Sequence, residues 1–347
     1  MGWLNRLLGH RAVASPPEKL SPPSTATIPA DWASQPSYLA VLQRFLSLRD
    51  ARTGVPEYWE PMFGTPPRHL VERLLQLHLL EPASLAETIE YCHTGVELKK
   101  LLKDRGLKVS GRKAEQAQRL LDADPEGMRR FAAEHPIVGC SSEARQAVES
   151  WLYRQAQALE TATDELITAL RNRQFKIAIQ IADAWRAQQF RPPIHPDQEA
   201  MTIPSQPRNL DDRVREVAGM FTLRPKILKR LDADQWEGLH LNYAVWQLLG
   251  RSVDERCMPG FTGLGEMDGA TVLRMLGFYA NHQREIAQWG PLGVKTVRIT
   301  CCHSGSCDAC EALDEKRYPL SKLPELPYEH CTCALGCRCL YFPDLGF

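Results

Sequence analysis

The chain has no net charge: 42 Lys and Arg balance 42 Asp and Glu over 347 residues. Nothing global draws it to a polyanion or an anionic membrane, so any such contact must be local. It also lacks an apolar run near the ~20 residues that a helix needs to cross a bilayer. The opening MGWLNRLLGHRAVASPP has a short apolar patch and no long hydrophobic segment before a small-residue cleavage site, so no signal peptide is expected. Gly2 is followed by Arg6 where N-myristoylation wants Ser or Thr. GFTGLGEMDG holds Gly260, Gly263, Gly265 and Gly269 but lacks the Lys-Ser/Thr of a phosphate loop, and it reads as a flexible loop. No His-Asn-His or Asp…Glu-x-Lys nuclease pattern is recognisable. With 44% hydrophobic and 24% charged residues, the chain reads as globular and cytoplasmic, long enough for two or three domains.

Cysteine is the residue in excess. Cys92, Cys140 and Cys257 are scattered, whereas eight of the 11 lie between Cys301 and Cys339. A reducing compartment disfavours disulfides, so a cluster this dense points to metal.

Along the chain, residues 1–36 are rich in Pro, Ser and Ala and read as a tail, with a short amphipathic helix at Trp3–Leu8. Region 37–140 has helical spacing (Leu39, Leu42, Phe45, Leu46, then Leu70, Leu74, Leu77), with GTPP dividing two helices. Region 141–190 reads as a long helix or helical hairpin. Leu152, Leu159 and Leu166 recur every seven residues, and Leu170, Ile177, Ile181 and Trp185 continue the stripe; three leucines fall short of a coiled coil and predict core packing. Region 191–210 is a Pro-rich linker containing HPDQE. Region 211–347 predicts helices near 211–220, 224–232, 234–249 and 270–289, a strand at 294–300 and a cysteine-rich module over 294–342. The expected class is mainly α and multidomain, with a small α+β module at the C-terminal end.

Local charge appears in TGVELKKLLKDRGLKVSGRKAEQAQRLLDAD, residues 94–124. From Glu97 to Lys113, Lys99, Lys100, Lys103, Arg105, Lys108, Arg112 and Lys113 face only Glu97 and Asp104, a net +5. Leu98, Leu101 and Leu102 form one apolar helix face. Leu107 follows a turn at Gly106, and Ala114, Ala117, Leu120 and Leu121 supply a second helix. Ser110 is the expected N-cap of that helix. Free backbone N–H groups at Gly111–Lys113, the helix dipole and two cationic side chains would then converge on a phosphate. Lys99, Lys103 and Lys108 could track further phosphates. No aromatic interleaves them, so base stacking is not expected.

This helix–extended–helix segment, residues 88–125, resembles the SAP domain family. The resemblance rests on Leu98, Lys99, Leu102, Lys103, Gly106, Leu107, Ser110, Gly111, Lys113, Arg119 and Leu120. It implies binding to nucleic-acid backbone, DNA first and RNA as an alternative, with Ser110, Gly111, Arg112 and Lys113 facing the phosphates.

In CCHSGSCDACEALDEKRYPLSKLPELPYEHCTCALGCRC, Cys307-x-x-Cys310 is a knuckle whose two sulfurs can reach one Zn²⁺. The second half offers Cys331-x-Cys333 and Cys337-x-Cys339. The first choice of ligands is Cys307, Cys310, Cys337 and Cys339, with Cys331 or His330 as a substitute. The cofactor is structural zinc, one ion or two, with Cys301, Cys302 or His303 offered to a second. The motif looks like the C-terminal motif of phage head-morphogenesis proteins of the Mu F-like minor head type. The matching residues are Cys307, Cys310, Leu313, Asp314, Lys316, Tyr318, Leu320, Pro324, Pro327, Cys331, Cys337, Arg338 and Cys339. Glu315 replaces the usual turn glycine, and His330 sits directly against Cys331. This resemblance implies a structural head component or a module recruited from one.

From Gly290 to Phe347 six positive residues face seven negative ones before any thiolate is counted, so this end is expected to stabilise a fold or dock a protein rather than hold phosphate. The sequence reading is therefore a non-catalytic DNA-binding protein of phage or mobile-element setting. Its alternatives are a minor-head-like structural protein and a zinc-supported nuclease or toxin drawing on His303, His330, Asp308 and Asp314. His240, among apolar helical residues, reads as a satisfied core histidine.

Overall fold

The computed structural model describes residues 28–194, 209–251, 254–302 and 304–344. The expected helix at Trp3–Leu8, the HPDQE stretch and His303 lie outside the described residues. The chain splits into two compact units, Met1–Tyr153 with Phe190–Thr202, and Arg154–Gln189 with Ile203–Phe347.

In the first unit, α1 (Pro36–Arg44), α2 (Glu60–Phe63) and α3 (Pro67–Gln76) each start with proline in the first turn, where a missing N–H costs nothing. Leu39, Leu42, Phe45, Leu70 and Leu74 are buried together; Leu77 is exposed, because α3 ends at Gln76. A small sheet was not expected here. β1 (Arg49–Asp50), β2 (Leu80–Pro82) and β3 (Ile137–Cys140) pair antiparallel in the order β1-β3-β2, with Arg49 opposite Val138 and Leu80 opposite Cys140.

Between β2 and β3 the chain forms a four-helix module: α4 (Leu85–Cys92), α5 (Gly95–Asp104), α6 (Lys113–Ala123) and α7 (Pro125–Glu134). Its core is Ile89, Leu98, Leu102, Ala117, Leu120 and Met128. Reciprocal caps, Ser84 with Glu87 and Thr94 with Glu97, start α4 and α5.

α8 (Ser142–Arg171) gives its first turns to the first unit and the rest to the second. Its spaced leucines form no single seam: Leu152 packs into the first unit's core and Leu166 into the second's. α9 (Phe175–Gln188) completes the hairpin, but its buried side is Ala178, Ile179 and Ala182. Ile177, Ile181 and Trp185, expected inside, line an open groove with Ala158 and Ala162 of α8.

The second unit continues with α10 (Leu210–Met220), α11 (Ala233–Leu249) and α12 (Gly269–Trp289). α11 is buried on opposite sides, and its buried apolar residues fall in two cores: Leu239 and Tyr243 in one, Leu241, Val245 and Leu248 in the other. The expected helix at 224–232 is reduced to a 3-10 turn, Lys226–Leu228. Asp232 already caps α11 through Gln235, which leaves too few residues to nucleate a helix. The glycine-rich loop is a hairpin, β4 (Gly263–Leu264) with β5 (Met267–Asp268). Gly263 sits at φ +149°, and a side chain there would collide with the Met267 carbonyl.

The C-terminal sheet, β6 (Thr296–Thr300), β7 (Arg317–Pro319) and β8 (Leu340–Asp344), is antiparallel in the order β7-β6-β8. Alternation in β6 sends Val297 and Ile299 into a core shared with Leu276 of α12 and with Cys310, Cys337 and Cys339. The expected mainly α class with a small α+β end is what the chain adopts.

Candidate functional site

The basic segment is built on α5 and α6. Leu98 and Leu102 point into the module core, so the same helix turns Lys99 and Lys103, four residues apart, outward together. Gly106, at φ +68°, ends α5, and the chain from Leu107 to Arg112 runs without regular structure before α6. Lys99, Lys103, Lys108, Ser110, Gly111 and Arg112 are all exposed. Lys113 is only partly exposed and lies near enough to Glu97 and Cys92 to act on their ionisation. Among the described residues none of Lys99, Lys103, Lys108, Arg112 and Lys113 forms an ion pair. Arg105, by contrast, is held 3.3 Å from Asp124.

The start of α6 differs from the sequence expectation. The helix begins at Lys113, with Arg112 rather than Ser110 at its N-cap position. Two side chains of α6 hold the preceding loop extended. Arg119 donates to the carbonyls of Lys108 and Ser110, and the Gln116 amide donates to those of Val109 and Gly111 at 3.1 and 3.0 Å. Gly111 turns at φ +111°, and a Cβ there would fall 2.4 Å from Glu115 Oε2. That carboxylate accepts the Arg112 N–H at 3.1 Å. One of the N–H groups expected to greet a phosphate is therefore already taken by an acid of the same helix. Sequence reasoning passed over Glu115 and Gln116, although a Glu in the third helical position is a known capping signal.

The cysteines form the second site. Cys307 caps the short helix α13 (Asp308–Glu311), which carries Cys310; Cys331, Cys333 and Cys337 lie in the following loop, and Cys339 immediately precedes β8. The sulfurs of Cys307, Cys310, Cys331 and Cys333 all lie within 4.8 Å of one another, as do those of Cys310, Cys337 and Cys339. The first-choice set of Cys307, Cys310, Cys337 and Cys339 does not come together as one group: Cys307 belongs with Cys331 and Cys333. Cys333, absent from the expected ligands, is part of the site. Cys331 is a ligand candidate in its own right rather than a substitute. His330 is not in the group; its side chain is 64% exposed and lies 3.9 Å from Glu329. Cys301 and Cys302 are also outside both groups, and the Cys301 N–H donates to Asp314 Oδ1 at 2.8 Å.

Backbone N–H groups are aimed at the sulfurs. Thr332 donates to Cys307 at 3.3 Å, Cys307 to Cys333 at 3.2 Å, Cys333 to Cys331 at 3.4 Å and Tyr328 to Cys337 at 3.2 Å. Burial works to raise the Cys307 pKa, but the Thr332 and Cys310 backbone donors outweigh it and bring it down to about 6. The Cys337 thiol is likewise held below its ordinary value, first by the Cys310 thiol and then by that of Cys331. The Cys331 thiol is pushed up, first by the Cys310 thiol and then by that of Cys337, and those of Cys310 and Cys339 are raised as well, so Cys307 and Cys337 are the cysteines favoured as thiolates, the form that binds metal. The metal-candidate groups among the described residues consist of cysteines alone.

His240 is buried. Its Nε2 lies 2.9 Å from the Leu223 carbonyl and its ring stacks on Trp236. Burial lowers its pKa to about 4, so the imidazole is neutral at physiological pH.

The helical module carries an exposed cationic rim, and comparison with known families finds a match there. Residues 94–125 match the SAP domain family. That match covers α5, the loop and α6; Ile89 of α4 and Met128 of α7 complete the core from outside it. Nothing among curated proteins or solved structures matches the chain. No described helix is long and apolar enough to cross a membrane.

Proposed function

We propose that this protein binds the phosphate backbone of DNA through its SAP module, and that its C-terminal cysteines hold structural zinc. The observation that carries the first part is the exposed set Lys99, Lys103, Lys108 and Arg112, unpaired among the described residues. A cation already neutralised by a neighbouring carboxylate releases few counterions on meeting DNA; an unpaired one releases its full share. Ser110 and Gly111 lie on the same exposed loop, and Lys113 stands behind it. Glu115 tempers the helix-end attraction, so side-chain charge rather than free backbone N–H groups does most of the binding.

The second part is supported by the donor set. All-thiolate sites suit a closed, structural Zn²⁺ without an open position for water. That favours a stabilising or protein-docking role for this end over nuclease chemistry. The phage or mobile-element setting rests on the motif resemblance alone.

The test is DNA binding by fluorescence anisotropy at two or more salt concentrations. Wild-type affinity should fall steeply with salt, and Arg112→Ala with Lys103→Ala should flatten that dependence. Affinity indifferent to both salt and substitution would end this reading. An RNA duplex or single strand bound more tightly than DNA would transfer it to RNA. Magnesium-dependent plasmid nicking would revive the nuclease.

A further inference from the structure

We infer that the cysteine cluster holds two divalent ions of the zinc class, bridged by the thiolate of Cys310. The inference deepens the zinc reading above: it depends on the cysteines binding metal and is independent of nucleic-acid binding.

Six sulfurs converge here, more than one tetrahedral ion can use. Around one zinc with Zn–S near 2.3 Å, tetrahedral angles put sulfurs about 3.8 Å apart. Cys307 and Cys331 are 4.0 Å apart, and so are Cys310 and Cys337. Cys307, Cys310, Cys331 and Cys333 already make one complete tetrahedral set. Cys310, Cys337 and Cys339 make three corners of another, and the two sets share Cys310. Cys331 belongs to the first set alone. With Cys310 shared, the six thiolates supply four bonds to the first ion and three to the second.

Burial and charge point the same way. Cys310, Cys337 and Cys339 are only 1–2% exposed. A single ion in the first set would leave Cys337 and Cys339 as idle thiols in the core. Six thiolates around one divalent ion would instead bury four negative charges with few cations near. Two ions bring the cluster to a net −2, the same as one ion with four thiolates, and the four backbone N–H donors at the sulfurs answer that remainder.

The full chain, purified under reducing conditions and titrated with Zn²⁺, should take up two ions per chain by native mass spectrometry. Loaded with ¹¹³Cd²⁺, it should give two resonances coupled to each other through a shared sulfur. Cys339→Ser should retain one ion, whereas Cys310→Ser should hold neither at the concentration that saturates the wild type. Saturation at one ion per chain overturns the proposal and leaves the zinc reading standing. Two uncoupled cadmium resonances overturn the shared thiolate. Both of these are read on the wild-type chain, so a variant that fails to fold does not shelter the proposal.

Discussion

The SAP module and the cysteine module use polar groups in opposite ways. In the first, apart from Thr88 and Gln116, apolar side chains make the interior: Ile89, Leu98, Leu102, Ala117, Leu120 and Met128. Its lysines are left with nothing to do inside the protein. In the second, the polar groups are consumed by the fold. Sulfurs and backbone N–H groups face each other, Arg298 pairs with Glu315 at 2.5 Å, Lys229 with Glu329 at 3.3 Å, and Arg317 with Asp344 at 3.4 Å. Count of charges already separates these regions, and the state of pairing sharpens the difference. A surface free to attract a polyanion is one whose cations have no internal partner.

The strongest way to break the comparison is to remove metal. Chelation under reducing conditions should unfold the cysteine module, since structural zinc contributes on the order of 10 kcal/mol or more to such folds. Near-UV circular dichroism of the tyrosines around it should collapse, while amide protection at Leu98 and Leu102 survives. Loss of both together would mean that the two modules are not independently stabilised. The reverse experiment is Leu102→Ala, which empties a fully buried site and should cost about 2–5 kcal/mol. DNA binding should fall with it, and zinc content should not.

Acid should strike the second unit. His240 has an ordinary pKa of 6.5, lowered to about 4 in the folded chain. Below pH 6.5 the unfolded chain takes up a proton that the folded chain refuses, so stability falls until about pH 4 and then levels. The loss amounts to about 3 kcal/mol. Proton competition for the thiolates adds to it. Chemical denaturation of metal-loaded wild type and His240→Gln across this range separates the two: the variant should lose the histidine share of the pH dependence. Equal slopes would deny His240 its role.

Two smaller effects sharpen the charge argument. Each phosphate contact removed should lower the slope of log affinity against log salt by about 0.9. Lys103→Ala and Arg112→Ala should each do so, and Lys113→Ala should do less because it is partly buried beside Glu97. An equal loss from Lys113 would show that it swings outward on binding. Glu115→Gln keeps an oxygen for the Arg112 N–H and removes the charge. It should tighten DNA binding a few-fold at low salt, by about 0.5–1 kcal/mol, and an unchanged affinity would place the phosphate path away from the helix end.

The residues of the SAP module were legible because its signal is local. Leucines at helical spacing, a glycine turn and a basic loop occur within one short run. The same holds for α8 through α12 and for β6, where length or alternation leaves a pattern. The β1-β3-β2 sheet left none, since its strands are two to four residues long and its partners distant in sequence. In α9 the sequence offered two apolar lines, and the one with larger residues, Ile177, Ile181 and Trp185, turned out to line a groove. Alanines at 178 and 182 went inside because close helix packing favours small side chains. For the cysteines, spacing identified the knuckle but could not say that Cys307 meets Cys331 and Cys333 rather than Cys337 and Cys339.

The amino-acid sequence alone determined that one short basic segment is SAP-like and that eight cysteines gather at one end, since helical period, turn chemistry and clustering are properties of neighbours along the chain. Only the tertiary structure decided that the lysines stay unpaired and that Cys310 stands between two groups of sulfurs. Those outcomes depend on distances between atoms far apart in sequence, which burial and backbone hydrogen bonding set together.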